Sequence, residues 1–156
     1  MKVNKFHDKS LKENRIDIYY NNVDGKLKYL FNFLEKCNSI EGFAHNTKKM
    51  ISLNDIFYFE IVDRKCFAYL EKEVYEVNIS LRDIENNYSD KYFIRISKSV
   101  VLNILKIDYL KADLYMRVKA YLVNGECLII NRTYKNSFFE NMESLRKESA
   151  SDEINK

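Results

Sequence analysis

The spacing of apolar and polar side chains divides the chain into one helical stretch, a long run of strands and a polar end. Leu27, Leu30, Phe31 and Leu34 recur at the i, i+3, i+4, i+7 interval of an amphipathic helix, with Cys37 on the same stripe and Asn38 near its end. Ahead of them, Arg15-Ile16-Asp17-Ile18-Tyr19-Tyr20 alternates at period two, which predicts a strand closed off by Asn22-Val23-Asp24-Gly25. From Met50 onward period two dominates. Asp55 to Ile61 reads as a strand, Asp63-Arg64-Lys65 as a polar turn, Cys66 to Leu70 as its partner, and Val74 to Ile79 as a third strand. Ser80 stands three residues before Asp83, the spacing of a capped helix start, so a short helix is expected toward Tyr88, with apolar Leu81, Ile84 and Tyr88 at helical spacing. Phe93 to Ile96 and Val100 to Leu102 are apolar and are separated by Ser97-Lys98-Ser99; further strands are expected around Ile107 to Leu110 and Leu114 to Leu122. Asn124-Gly125 suits a two-residue type I′ hairpin leading into Glu126 to Ile130. A last helix is expected from about Tyr134 to Met142.

With 156 residues there is room for one well-buried domain. The pattern divides the chain into a mobile arm (1–14), a strand–helix lead-in packed on the domain (15–49), a strand-rich domain (50–142) and a polar tail that frays (143–156). The fold class is mainly β, α+β overall. Composition agrees, because a chain with no Pro, no Trp and only 3 Gly carries 12 Tyr and 10 Phe, residues that suit half-buried pleated surfaces. An apolar content of 46% excludes disorder for the bulk of it. No apolar run approaches the ~20 residues that span a bilayer, and the first residues hold no signal-peptide core, so a cytoplasmic protein is expected. Cys37, Cys66 and Cys127 are far apart and form no C-x-x-C pair; they read as small core residues.

Charge changes the picture more than composition does. From Met50 to Asp90 there are 4 basic and 9 acidic residues, net −5; from Lys91 to Lys135 there are 9 and 3, net +6. Such a swing within one small domain implies one positive face, the footprint of a polyanion site, unless the signs are segregated by chance. The catalytic inventory is thin. His7 and His45 have no sequence partner for a triad or metal site, and the isolated Gly25, Gly42 and Gly125 cannot form a phosphate loop. Glu71, Glu73 and Glu76 lie where strand alternation turns them to solvent. Nothing argues for an enzyme. Polar clusters at strand ends are more telling: Arg64 and Lys65 at a hairpin tip, Arg95 with Ser97, Lys98 and Ser99 between apolar segments, and Asn131, Arg132 and Lys135 at the entrance to the last helix. Each is ordinary loop polarity taken alone; their recurrence inside the basic segment favours one joint DNA site.

At the residues Phe93-Ile94-Arg95-Ile96-Ser97-Lys98-Ser99-Val100-Val101-Leu102-Asn103, followed by Lys106-Ile107, the chain resembles the signature of the LytTR DNA-binding domain of bacterial transcription regulators. Leu53 to Glu60, Leu81 to Glu85 and Asn124 to Tyr134 agree with that family in order, so the resemblance covers roughly Met50 to Met142. The family often carries His where this chain has Ser97, and Ser where it has Asn131, which bears on base preference rather than on fold. The resemblance implies an elongated set of β-sheets with short helices whose loops, rather than a recognition helix, enter successive major grooves. Base or phosphate contacts are then expected from Arg64, Lys65, Ser97, Lys98, Arg132 and Thr133, phosphate contacts from Arg95 and Lys135, and structural support from Ser99 and Asn103. No cofactor is implied. The implied partners are double-stranded promoter DNA, a second copy on an adjacent direct-repeat half-site and, as in some single-domain LytTR regulators, a membrane protein. The preceding segment is too short for a phosphoacceptor receiver domain. The competing classes are a protein-interaction or sensory module that kept the fold without DNA binding, and an RNA-binding role in which Tyr115 or Tyr121 stacks on bases.

Overall fold

The computed structural model describes residues 4, 6–8, 10, 16–88, 92–113, 115 and 117–153. The chain forms two compact units, Met1–Cys37 and Asn38–Lys156. In the first, the predicted apolar stripe lies on helix α1 (Gly25–Cys37), where Leu27 is buried. Asp24 caps the helix: its carboxylate accepts the Leu27 N–H at 2.8 Å and its carbonyl accepts the Lys28 N–H at 2.9 Å. Residues 16–20, expected as a strand, belong to none, and Ile16, Tyr19 and Tyr20 are exposed. Alternation creates a strand only where a second strand can accept its hydrogen bonds. Most of the expected arm, and Arg15, fall outside the described residues.

The second unit opens with a hairpin, β1 (Ser39–Ala44) and β2 (Thr47–Ser52), followed by β3 (Tyr58–Val62), β4 (Lys65–Tyr69), β5 (Val74–Val77), helix α2 (Leu81–Asn87), β6 (Phe93–Arg95) and β7 (Val100–Asn103). These strands form a seven-stranded sheet in the order β2-β1-β5-β4-β3-β7-β6. Residues 39–49, assigned to the lead-in by sequence, thus extend the sheet, with Gly42 opposite Val77 and Phe43 opposite Glu76. Gly42 is required by proximity, since a Cβ there would stand 2.1 Å from Ile51 Cδ1 and 2.8 Å from Tyr75 Cβ. Strands β8 (Ile107–Ala112), β9 (Val118–Leu122) and β10 (Cys127–Ile130) form a three-stranded sheet, and helix α3 (Lys135–Glu153) ends the unit.

Period-two alternation sorts the central strands between two cores. Phe59, Phe93 and Val101 face one core, with Ile40, Ile51, Ala68, Tyr75 and Val77, closed by Leu81 and Ile84 of α2. Tyr58, Ile94, Val100 and Leu102 face the other, with Val118, Ala120, Leu122 and Ile130 of the small sheet and Phe138 of α3. Strand β7 is buried at every position, which explains its unbroken apolar run. The Ser80 cap of α2 is as predicted, accepting the Asp83 N–H at 3.1 Å and donating its hydroxyl to Asp83 Oδ2 at 2.6 Å.

Three expectations are corrected. Gly125, at φ +90°, donates its N–H to the Leu122 carbonyl at 2.9 Å, so Val123-Asn124-Gly125 is a three-residue loop rather than a two-residue I′ turn. Consecutive left-handed residues instead join β1 to β2 at His45-Asn46 and β3 to β4 at Asp63-Arg64. Helix α3 continues past Met142 to Glu153, because Phe139, Met142 and Leu145 pack on the second core and the residues beyond include the good helix formers Lys147, Glu148 and Ala150. Of the cysteines only Cys66 is buried; Cys37 and Cys127 are exposed.

Candidate nucleic-acid interface

Three polar loops meet at one end of the large sheet. Register Glu60↔Val100 between β3 and β7 places Ser99 beside Ile61, whose N–H donates to the Ser99 carbonyl at 2.8 Å. On the other side of the same loop, the Asn131 N–H donates to the Ile96 carbonyl at 2.9 Å. The β6–β7 loop is therefore bonded both to the strand that carries the Asp63-Arg64 hairpin and to the entrance of α3. Sequence spacing of more than thirty residues on either side separates these clusters, yet two backbone hydrogen bonds join them.

The loop between β6 and β7 is held from within. Ser97 Oγ accepts the Ser99 N–H at 3.2 Å, and the Ile96 N–H donates to the Val100 carbonyl at 3.0 Å, closing the turn. Arg95 secures it from below: Nε donates to the Ser97 carbonyl at 2.6 Å, Nη2 to the Lys98 carbonyl, and Nη1 to Glu85 Oε2 of α2 at 2.8 Å. The guanidinium is thus committed to the backbone of the loop and to an acid, leaving Lys98 exposed at the tip. Asn103, the buried polar residue of β7, donates from Nδ2 to the Ile56 carbonyl at 2.9 Å and accepts the Leu105 N–H at 3.0 Å. These bonds tie the end of β7 to the turn that opens β3.

Around this loop, Arg64 is exposed at φ +65° in the hairpin turn. Lys65, the first residue of β4, reaches Glu76 Oε2 at 2.8 Å across the sheet. Arg132 and Thr133 are exposed in a 3-10 turn (Arg132–Tyr134) closed by the Tyr134 N–H to the Asn131 carbonyl at 2.8 Å; Lys135 is half-buried at the start of α3. Glu85 escaped sequence reading, since an acid on a short helix carries no mark of a cation ten residues away until the chain is folded. Asp113 also organises a loop, accepting the backbone N–H groups of Tyr115 and Arg117 and the Arg117 side chain at 3.0 Å. Those bonds lower its carboxyl pKa against the opposing effect of burial.

Elsewhere the chemistry is sparse. Among the described residues no cluster of three metal-ligating side chains occurs, and no helix is long and apolar enough to cross a membrane. His7 and His45 are exposed. A groove of about 620 Å³ lies at the opposite end of β4, lined by Lys49, Met50, Phe57, Leu70, Lys106 and Val123 among others. Its Lys49 is occupied by Glu73 at 3.6 Å and by the Tyr75 hydroxyl at 3.2 Å.

The sequence profile described as the LytTr DNA-binding domain matches residues 46–143, most of the chain and all three loops. The chain belongs to that family. This LytTR domain has the sheet architecture of the LytTr DNA-binding domain from a Bacillus cereus protein described as a methyl-accepting/DNA response regulator. The two share a TM-score of 0.64 at 19% identity, over 67% of this chain and 96% of that one. Proteins named as uncharacterized HTH-type transcriptional regulators in Staphylococcus aureus strains NCTC 8325, COL and N315 are each 23% identical over 145 residues, 91% of this chain and 98% of theirs. In this LytTR domain no two α-helices are consecutive among the described residues, so none of them form a helix-turn-helix.

Proposed function

We propose that this LytTR protein is a sequence-specific transcription regulator of the cytoplasm that reads promoter DNA with the three joined loops. The supporting observation is the pair of backbone hydrogen bonds, Ile61 to Ser99 and Asn131 to Ile96, which bring exposed Arg64, Lys98 and Arg132 to one end of the domain. Their long cationic side chains suit the acceptor pair of guanine in the major groove, and Thr133 beside Arg132 can add a hydroxyl contact. Lys65, released from Glu76 as phosphates approach, and Lys135 supply backbone contacts that give affinity without sequence choice. Arg95 and Ser97 hold the loop that presents Lys98, Ser99 anchors it to β3, and Asn103 ties the far end of β7 to the turn before β3. Successive loops entering successive grooves imply an extended site, and two copies on direct repeats would face the same way along the duplex.

The test is an anisotropy titration of the full chain against its own upstream promoter region and a scrambled duplex at two salt concentrations. Lys98→Ala and Arg132→Ala should each reduce discrimination between the duplexes by about 1–3 kcal/mol, whereas Lys135→Ala should weaken both equally. Absence of binding to either duplex at low salt would overturn the reading and leave an interaction module.

A further inference from the structure

The three loops do not use the outer face of the small sheet, and that face is not neutral. Val118, Ala120 and Leu122 point into the second core, so Lys119 and Tyr121 between them point outward. Register carries the same division across the sheet. Tyr109 and Cys127 lie opposite Tyr121, and Lys111 and Ile129 lie opposite Lys119. The face thus has an aromatic row, in which the Tyr109 and Tyr121 rings stack at 4.5 Å, and a cationic row of Lys111 and Lys119 beside exposed Ile129.

Like charges directly opposed on neighbouring strands destabilise a sheet, and Lys111 and Lys119 are such a pair. Among the described residues no ion pair engages either ammonium, and Asp113, close by in sequence to Lys111, is taken by Arg117. The cationic row is also the one nearer the three loops, since Ile129 precedes Arg132 by three residues on the strand whose end bonds to the β6–β7 loop. Adjacent strands are ~4.8 Å apart, so two opposed lysine stems on one face offer each of two neighbouring phosphates its own ammonium.

We propose that Lys111 and Lys119 contact neighbouring backbone phosphates of the duplex beside the groove entered by Arg132, making the outer face of the small sheet a flank of the DNA site. The proposal rests on the DNA-binding reading above. It deepens that reading by adding a sequence-independent part to the interface, on an element separate from the base-reading loops.

The experiment measures log Kobs against log salt for the full chain on promoter and scrambled duplexes, for wild type, Lys111→Gln/Lys119→Gln and Lys111→Arg/Lys119→Arg. Each lost phosphate contact removes ~0.9 from the slope, so the Gln pair should flatten it by about 2 on both duplexes with the discrimination ratio unchanged. The Arg pair should keep the wild-type slope, and the thermal midpoint of the Gln pair should equal or exceed that of wild type as the like-charge pair is removed. A wild-type slope in the Gln pair would overturn the proposal while leaving the DNA-binding reading intact. A changed discrimination ratio would also overturn it, by making the lysines base readers. Failure of wild type to bind either duplex would remove the reading itself.

Discussion

Arg95 and Lys98 are two cations three residues apart with opposite uses, and the difference is set by what the backbone offers each. The Arg95 fork finds two loop carbonyls and Glu85, and is mostly buried; Lys98 stands on the tip that Arg95 holds. Arg95→Ala is therefore expected to cost about 2 kcal/mol of stability, seen as a lower urea midpoint, together with a loss of promoter preference. Arg95→Lys should recover little of either, because a point charge cannot bond two carbonyls and a carboxylate in one plane. Lys98→Ala should leave the urea midpoint unmoved. If Arg95→Ala kept wild-type stability and lost only affinity, the guanidinium would return to the phosphate contacts that sequence reading assigned it. Asn103 gives the corresponding test at the far end of β7: Asn103→Leu strands the Ile56 carbonyl and the Leu105 N–H, and should cost about 1–3 kcal/mol in the same measurement. The presence of cations at strand ends was legible from the residues alone. Their division into holders and presenters was not, because it depends on Glu85, which reaches the loop only through the packing of α2.

At the scale of elements, the β3–β4 hairpin joins stability to function. Asp63 and Arg64 occupy left-handed φ values of 49° and 65°, a conformation that costs an L-residue ~1–2 kcal/mol and that Gly adopts freely. Arg64→Gly should accordingly raise the thermal midpoint slightly while weakening promoter binding, so that the two quantities move in opposite directions. A fall in both would mean that Arg64 makes contacts that stabilise the hairpin. Gly42 shows the reverse constraint: Gly42→Ala drives a methyl into Ile51 and Tyr75 and should destabilise by about 1–3 kcal/mol in thermal unfolding, without touching the loops. Strands β3 to β7 were readable because each alternates or is apolar up to its last residue and is bounded by polar turns. Strands β1 and β2 were hidden for physical reasons. Gly42 supplies no side chain to the inward pattern, and edge strand β2 exposes Thr47, Lys48, Lys49 and Met50 together. The converse error at residues 16–20 has the same root, since a period of two records which faces differ and not whether a partner strand exists.

For the molecule as a whole, the large sheet has an ionisable group held neutral on each face, and this sets its response to alkali. In the first core burial pushes the Cys66 thiol up from 9.0 to about 11. In the second, burial raises the Tyr58 phenol well above its ordinary value, with the Glu126 carboxylate adding to the effect, and Tyr69, stacked on Tyr58 at 4.4 Å, is raised by burial and by Glu60. All three are acids whose neutral form is the one the fold accommodates. In the unfolded chain they ionise at their ordinary values, so above pH 9 the unfolded state holds fewer protons than the native state and stability falls with rising pH. Their contribution is complete below pH 9 and is lost on passing through the raised native values, for Cys66 before Tyr58. Urea midpoints should therefore decline between pH 9 and 11, and Cys66→Ala should make that decline shallower even though its midpoint at neutral pH is lower from the lost packing. Tyr58→Phe should act in the same sense at the upper end of the range, where the second core rather than the first limits stability. If both variants kept the wild-type slope, the alkaline loss would have to arise from surface charge repulsion, and adding salt would then abolish it; with buried thiol and phenols as its source, salt should leave most of the slope in place.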